Sequence, residues 1–167
     1  MLIILGGLPG TGKTTIAKQL AKHLKVLYLR VDTVEQVLKR LHPTSKAIGP
    51  DGYLVCYDIA ADNLRLGQTV IADSVNPIAV TRHDWRLVAK NNNVKFIEVE
   101  CICSDVNTHK SRVETREADI TGHNLPSWQD VLNREYEPWD TKMLSLDTSK
   151  YSVDESVKMI LECIKSI

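Results

Sequence analysis

Eight residues near the N-terminus constrain this chain more than any other stretch. Gly7-Leu8-Pro9-Gly10-Thr11-Gly12-Lys13-Thr14 meets the pattern G-x-x-x-x-G-K-[ST] at every fixed position. Its flanks agree. Leu2–Leu5 is a short unbroken apolar run, as a strand buried on both faces requires. After the loop, Ile16, Ala17, Leu20 and Leu24 recur on one helical face, with Lys18, Lys22 and Lys25 elsewhere. Glycines in such a loop let successive backbone N–H groups converge on an anion, and the next helix adds its positive N-terminal dipole. The loop therefore predicts a site for a triphosphate. Gly7, Leu8, Pro9, Gly10, Thr11 and Gly12 form the cradle. Lys13 bridges the β- and γ-phosphates, Thr14 ligates Mg²⁺, and Thr15 reaches the α-phosphate.

Downstream, apolar runs alternate with helical periodicities. Val26–Arg30 reads as a strand, and Asp32–Leu41 as a helix stopped by Pro43. The stretch from His42 to Gly52 reads as a loop, and Tyr53–Leu66 as a helix ended by Gly67. Thr69–Ala72 is a buried strand running into Asp73. Asn76-Pro77 predicts an N-cap and a first helical position for a helix over Ile78–Lys90. Val94–Cys103 is a long strand, Asp105–Glu117 a helix and Ala118–Pro126 a polar loop. Ser127 with Asp130 is a capping-box pattern for a helix through Glu137. Met143–Leu146 is a last strand, and Ser152 with Glu155 caps the terminal helix. Helices between strands demand crossovers, so the expected class is α/β, a five-stranded parallel sheet with helices on both faces. Ligands of such sheets sit beyond the carboxyl ends of the strands. The Gly7–Thr14 loop, Asp32 and Asp73 thus share one rim. We read residues 1–167 as a single domain, with 105–137 inserted above that rim as a helical lid.

Composition bounds the remaining choices. At 167 residues the chain can build one full core and not two comfortable ones. No stretch approaches the ~18 apolar residues of a membrane span, and Met1 leads into Leu-Ile-Ile-Leu without the basic region of a secretion signal. Cys56, Cys101, Cys103 and Cys163 make no CxxC pair, so the expectation is free thiols in a reducing cytoplasm. His23, His42, His83, His109 and His123 show no ligand spacing. Net charge is zero, yet residues 1–46 hold eight Lys/Arg against two Asp/Glu. A basic end carrying a Gly-rich loop suits a polyanionic ligand, and an acidic remainder does not suit a nonspecific duplex binder.

The loop names a ligand, not a reaction. The N-K-x-D motif of GTPases and the L-S-G-G-Q signature of transporter ATPases are missing, and AAA-type motors need a longer module with a helical subdomain. A compact phosphotransferase remains. Gly7–Thr15, Val31-Asp32-Thr33, Ile71-Ala72-Asp73-Ser74-Val75-Asn76-Pro77, Arg112-Val113-Glu114-Thr115-Arg116 and Tyr136-Glu137-Pro138-Trp139 together resemble the small P-loop kinases. That family includes kinases of unassigned substrate, adenylylsulfate kinase, chloramphenicol phosphotransferase and the kinase domain of phage polynucleotide kinase. The resemblance covers nearly the whole chain. It implies the P-loop NTPase fold, ATP with Mg²⁺, and transfer of the γ-phosphate to a hydroxyl of a small molecule. Two alternatives stay open: a polynucleotide 5′-hydroxyl kinase, and a non-kinase switch whose nucleotide gates binding.

Asp32 follows the second strand, where that family uses a carboxylate to take or orient the acceptor's hydroxyl proton. Asp32-Thr-Val-Glu35 is equally a capping-box pattern, and spacing alone does not choose. Related kinases often carry an arginine where Glu35 stands, so the resemblance points away from anionic acceptors. Asp73 has the place of a Walker B acid, supporting Mg²⁺ with Thr14 or contacting the acceptor. Arg112 and Arg116 lie four apart, on one face of the expected helix. With Arg134 they can neutralise charge on the γ- and β-oxygens; surface pairing with Glu114, Glu117 or Glu135 is the competing reading. Asp58 and Asp62 share a helix face beside Tyr53 and Tyr57. Asp147-Thr148 begins the loop that holds adenine in related kinases.

Overall fold

The fold is known from a computed structural model that describes residues 1–43, 49–141 and 143–167. In chain order the elements are β1 (Leu2–Gly6), α1 (Lys13–Leu24), β2 (Leu27–Arg30), α2 (Val31–Leu41), α3 (Asp51–Arg65) and β3 (Val70–Asp73). There follow α4 (Ala79–Asn91), β4 (Phe96–Ile102), α5 (Val106–Thr115), α6 (Trp128–Leu132), β5 (Leu144–Asp147) and α7 (Val153–Lys165). All five strands pair in parallel, in the order β2-β3-β1-β4-β5.

Strand β1 is central and every residue in it is buried, which is why its sequence is apolar without alternation. Successive side chains point to opposite faces. Ile3 and Leu5 join Ile16, Ala17 and Leu20 of α1 with Val157 and Ile160 of α7. Leu2 and Ile4 join Cys56, Tyr57, Ala60 and Leu64 of α3 with Trp85 and Ala89 of α4. The two cores thus put helices on both faces, as expected. In register, Leu5 lies beside Asp73 and Arg30 beside Asp73 on the other side. The carboxyl ends of β1, β2 and β3 therefore open onto one edge.

Several local expectations are corrected. Asn76 does not cap α4; it has φ 50 and its side-chain amide donates to the Leu5 carbonyl at 2.9 Å, while the helix starts at Ala79 after an extended Ile78. The Asp32/Glu35 capping box is absent, because Val31 is already helical and Arg30 stands at the N-cap position without a side-chain cap. Helix α5 ends at Thr115, so Arg116 is extended and does not continue the helical face of Arg112. Helix α6 stops at Leu132 rather than Glu137. The reason lies in Arg82. Fully buried, it donates to the carbonyls of Asn76, Pro77, Glu137 and Pro138 at 2.5–3.0 Å. Its guanidinium also stacks 4.8 Å from the Trp139 ring. Residues 136–139 are drawn back onto the Asn76-Pro77 turn, which a helix could not reach. The capping boxes at Ser127 and Ser152 are present as expected.

A candidate nucleotide and acceptor cleft

Between β1 and α1 the chain turns through the Gly7–Gly12 loop. Gly10 has φ 84, a conformation L residues avoid, and a Cβ there would run into Val113 and His109. The loop is braced at long range. Imidazole Nε2 of the buried His109 meets the Pro9 carbonyl at 2.8 Å, and the ring packs edge-on against Trp128. The Thr148 hydroxyl donates to the Thr11 carbonyl at 2.9 Å. Thr11 turns inward, its hydroxyl donating to Leu8, and the Gly7 amide bonds the Val75 carbonyl.

Above the loop lies a cleft of about 790 Å³. Pro9, Gly10, Gly12, Lys13, Thr14 and Thr15 line it, as do Asp32, Arg112, Arg116 and Arg134. The structure therefore gathers most of the candidate residues in one cavity. Gly7, Leu8 and Thr11 are not part of its lining. Nor is Asp73, which is 1% exposed at the end of β3. Tyr28 donates to its Oδ2 at 2.7 Å, while Oδ1 is buried without a partner. Asp58 and Asp62 are exposed on α3 and take no part in the lining.

Arg112 and Arg116 differ. Arg112 is tied to the far end of the cleft: its guanidinium donates to the Thr148 hydroxyl at 2.8 Å and carbonyl at 3.0 Å. Thr148 follows Asp147, whose carboxylate accepts from Ser104 and Ser149. Arg116 has no such partner. Its Nε and Nη2 are buried without hydrogen bonds. Burial depresses its pKa, and the nearby Asp32 carboxylate opposes that.

Sequence reading missed the second wall. Arg30 donates to both oxygens of Asp119 at 2.9 Å and stands 3.4 Å from Asp32. Lys18 reaches Asp119 as well, at 2.5 Å. Gln36 donates to the Gly122 carbonyl at 2.8 Å. The polar segment 118–126 is thus pinned to α1, β2 and α2. Glu35, Tyr53 and His123 complete the lining. Burial and the Asp32 charge push the Glu35 carboxyl up, against a smaller pull from Lys39 and Arg134. Among the described residues no helix is long and apolar enough to cross a membrane, and the four cysteines are free.

Residues 2–134 match the AAA_33 family, described as an AAA domain. The matched segment is one P-loop module, without a second helical subdomain among its described residues. The chain is 24% identical over 166 residues to the adenylyl-sulfate kinase of Synechococcus sp., covering 96% of this chain and 91% of that one. Its fold is shared with two solved structures. The APS kinase CysC of Mycobacterium tuberculosis, in complex with AMPPNP and APS, is 20% identical with a TM-score of 0.73, covering 98% of this chain and 96% of that one. Kti12 of Chaetomium thermophilum, in complex with ADP-AlF3, is 23% identical with a TM-score of 0.71, covering 97% and 98%. With the loop, the sheet order and the match over residues 2–134 in agreement, the chain belongs to the AAA_33 family of small P-loop kinases.

Proposed function

We propose that this protein is an ATP-dependent kinase that moves the γ-phosphate to a hydroxyl of a small molecule. The observation that carries the reading is the shared cleft: Lys13, Thr14 and Thr15 line the same cavity as Asp32 and Arg116. In this reading the acceptor oxygen attacks the γ-phosphorus and its proton passes to an Asp32 carboxylate oxygen. The bond from γ-phosphorus to the β–γ bridging oxygen breaks, and ADP leaves with that electron pair. Lys13 and Arg116 oppose the charge that gathers on the phosphoryl oxygens. Arg116 suits this task because its buried donors lack partners, and an anion would satisfy them. Arg112, bonded to Thr148, suits the base end of the nucleotide. Arg134 is exposed at the mouth and joins the phosphates if residues 105–137 close as a lid.

The side chains also fit Mg²⁺. Thr14 offers a hydroxyl beside the phosphate cradle, and Asp73 an unpartnered buried oxygen. A hard cation shared with phosphates keeps several waters and needs only one or two protein oxygens. Bound there, it would neutralise phosphate charge.

The test is a screen of small alcohols with ATP and Mg²⁺, read by ADP release and by phosphorylated product. Acceptor-dependent ADP with a phosphorylated alcohol is expected. ATP binding with no acceptor-dependent turnover favours a nucleotide-gated switch. Labelling of 5′-hydroxyl oligonucleotides alone moves the acceptor to a polynucleotide.

A further inference from the structure

The acceptor end of the cleft contains a half-buried carboxylate with no ion-pair partner among the described residues. Asp32 sits beside Arg30, Asp119 is held by Arg30 and Lys18, and Arg112 is bonded to Thr148. Glu35 lines the same cavity, yet among the described residues no cation lies within ion-pair distance of it. The backbone makes room for it. A Cβ on Gly52 would collide with the Glu35 Cγ and come within 3.3 Å of its Oε1, so glycine at 52 leaves the Glu35 side chain its place against α3. The Glu35 stem thus lies against α3 at Gly52, the residue before Tyr53.

Tyr53 supplies an aromatic wall to the same cavity. Its hydroxyl accepts from the Asn76 amide at 3.1 Å, which pins the phenol edge and leaves ring surface for a ligand. Lys39 and Arg134 also face this region, and both are exposed at the mouth. His123 is opposite, on the 118–126 segment, its Nδ1 buried without a partner. Burial, with Lys39, Arg30 and Arg116 around it, keeps that ring toward the neutral form. The inner surface therefore sets a carboxylate next to an aromatic ring, with Lys39 and Arg134 exposed at the rim and the unpaired Arg116 assigned above to the phosphoryl group. That combination recognises an ammonium group, through charge and through the ring's negative face.

We propose that the acceptor carries a protonated amine as well as its hydroxyl, with the ammonium on Glu35 against the Tyr53 ring and the hydroxyl at Asp32. The assignment rests on the kinase reading for the place of the hydroxyl. Glu35 is then a specificity residue: it chooses the acceptor and touches no reacting atom.

The experiment compares matched alcohols that differ only in charge: glucosamine, glucose and gluconate, and serinol, glycerol and glycerate. Each is offered to the full chain with Mg²⁺ and either ATP, read as kcat/KM, or AMPPNP, read as equilibrium binding. We expect the amine of at least one set to exceed its neutral and anionic partners by about tenfold or more, the scale of one charge-assisted contact. E35Q should collapse that ratio, and E35R should turn it toward the acid. Preference for gluconate or glycerate in the wild type overturns the proposal, as does an amine preference that E35Q leaves unchanged. Turnover of the neutral or acidic members alone leaves the kinase reading standing and removes the amine. Glu35-dependent amine binding without phosphorylation does the reverse. If no amine in the panel binds or reacts, the assignment is wrong.

Discussion

The two ends of the cleft are built by different means. At the proposed nucleotide end the cleft is lined from one continuous segment, Pro9 to Thr15, whose shape comes from backbone conformation. Its supports, His109 and Thr148, grip backbone carbonyls and not side chains. At the acceptor end the lining comes from separate pieces: Arg30 to Lys39, Tyr53, the 116–126 segment and Arg134. There the contacts are between side chains, and several are ion pairs open to water. A backbone cradle fixes what binds across many sequences, while a wall of side chains can change its ligand by substitution. In the proposed reading one end defines the chemistry and the other selects the substrate.

The sharpest way to break this division is to remove chemistry without touching shape. Lys13→Ala leaves every backbone group of the cradle in place, yet removes the charge proposed to face the transferring phosphoryl group. Turnover should fall on the order of a thousandfold, with thermal stability close to wild type. Normal turnover in the folded variant would show that Lys13 does not face the γ-phosphate.

Asp32→Asn tests the other end. If Asp32 accepts the hydroxyl proton, turnover should drop by roughly a hundredfold while ATP affinity holds. Since α2 has no side-chain cap, little stability should be lost. A variant that unfolds earlier but keeps its turnover would assign Asp32 a structural role. Arg116→Met is the companion variant. It removes unpartnered buried donors, so stability should hold or rise, while kcat falls about tenfold or more.

How much of this was written in local sequence follows the same divide. The cradle was legible because its residues are neighbours and its flanks carry period and polarity. The sheet was legible because β1 and β3 read as unbroken apolar runs. The acceptor wall was not, because its partners are distant in the chain: Arg30 and Asp119 are 89 residues apart, and Gln36 and Gly122 are 86 apart. No spacing rule links such pairs. Arg82 belongs to no motif, yet it is fully buried and organises residues 136–139. Asn76 misled for a similar reason. Asn before Pro is a good helix opening, but a partner on β1 won the side chain.

A smaller effect should separate Arg112 from Arg116. Thr148→Val keeps the fold of the β5–α7 turn but removes the hydroxyl that links Arg112 to the cradle. If Arg112 serves the base end, KM for ATP should rise by a few fold, the scale of one or two ordinary hydrogen bonds. The acceptor's KM should not change. An effect on the acceptor instead would place Arg112 with Arg116.

The smallest effect concerns the tie between the two ends. Asp119 joins the 118–126 segment to Lys18 on α1 and Arg30 on β2. The pairs are exposed enough that together they contribute little, roughly 1 kcal/mol or less. Asp119→Ala should therefore lower Tm by no more than about 4 °C. Its local consequence should be larger, because few apolar contacts hold this segment and exposed ties govern its opening. Amide exchange across 118–126 should quicken in the variant without nucleotide. AMPPNP with Mg²⁺ should narrow the difference, if closure over the triphosphate adds new contacts. Acid gives the same test without mutation. The hydrogen bond from Lys18, with that from Arg30, holds the Asp119 carboxyl at about 2 against an ordinary 3.8. The tie is thus fully present above the ordinary value and is lost as pH falls through about 2. Protection of this segment should fade over that window in the wild type and show no such step in Asp119→Ala. Equal exchange in both proteins at every pH would mean that the segment is held by the Gln36–Gly122 bond and not by charge.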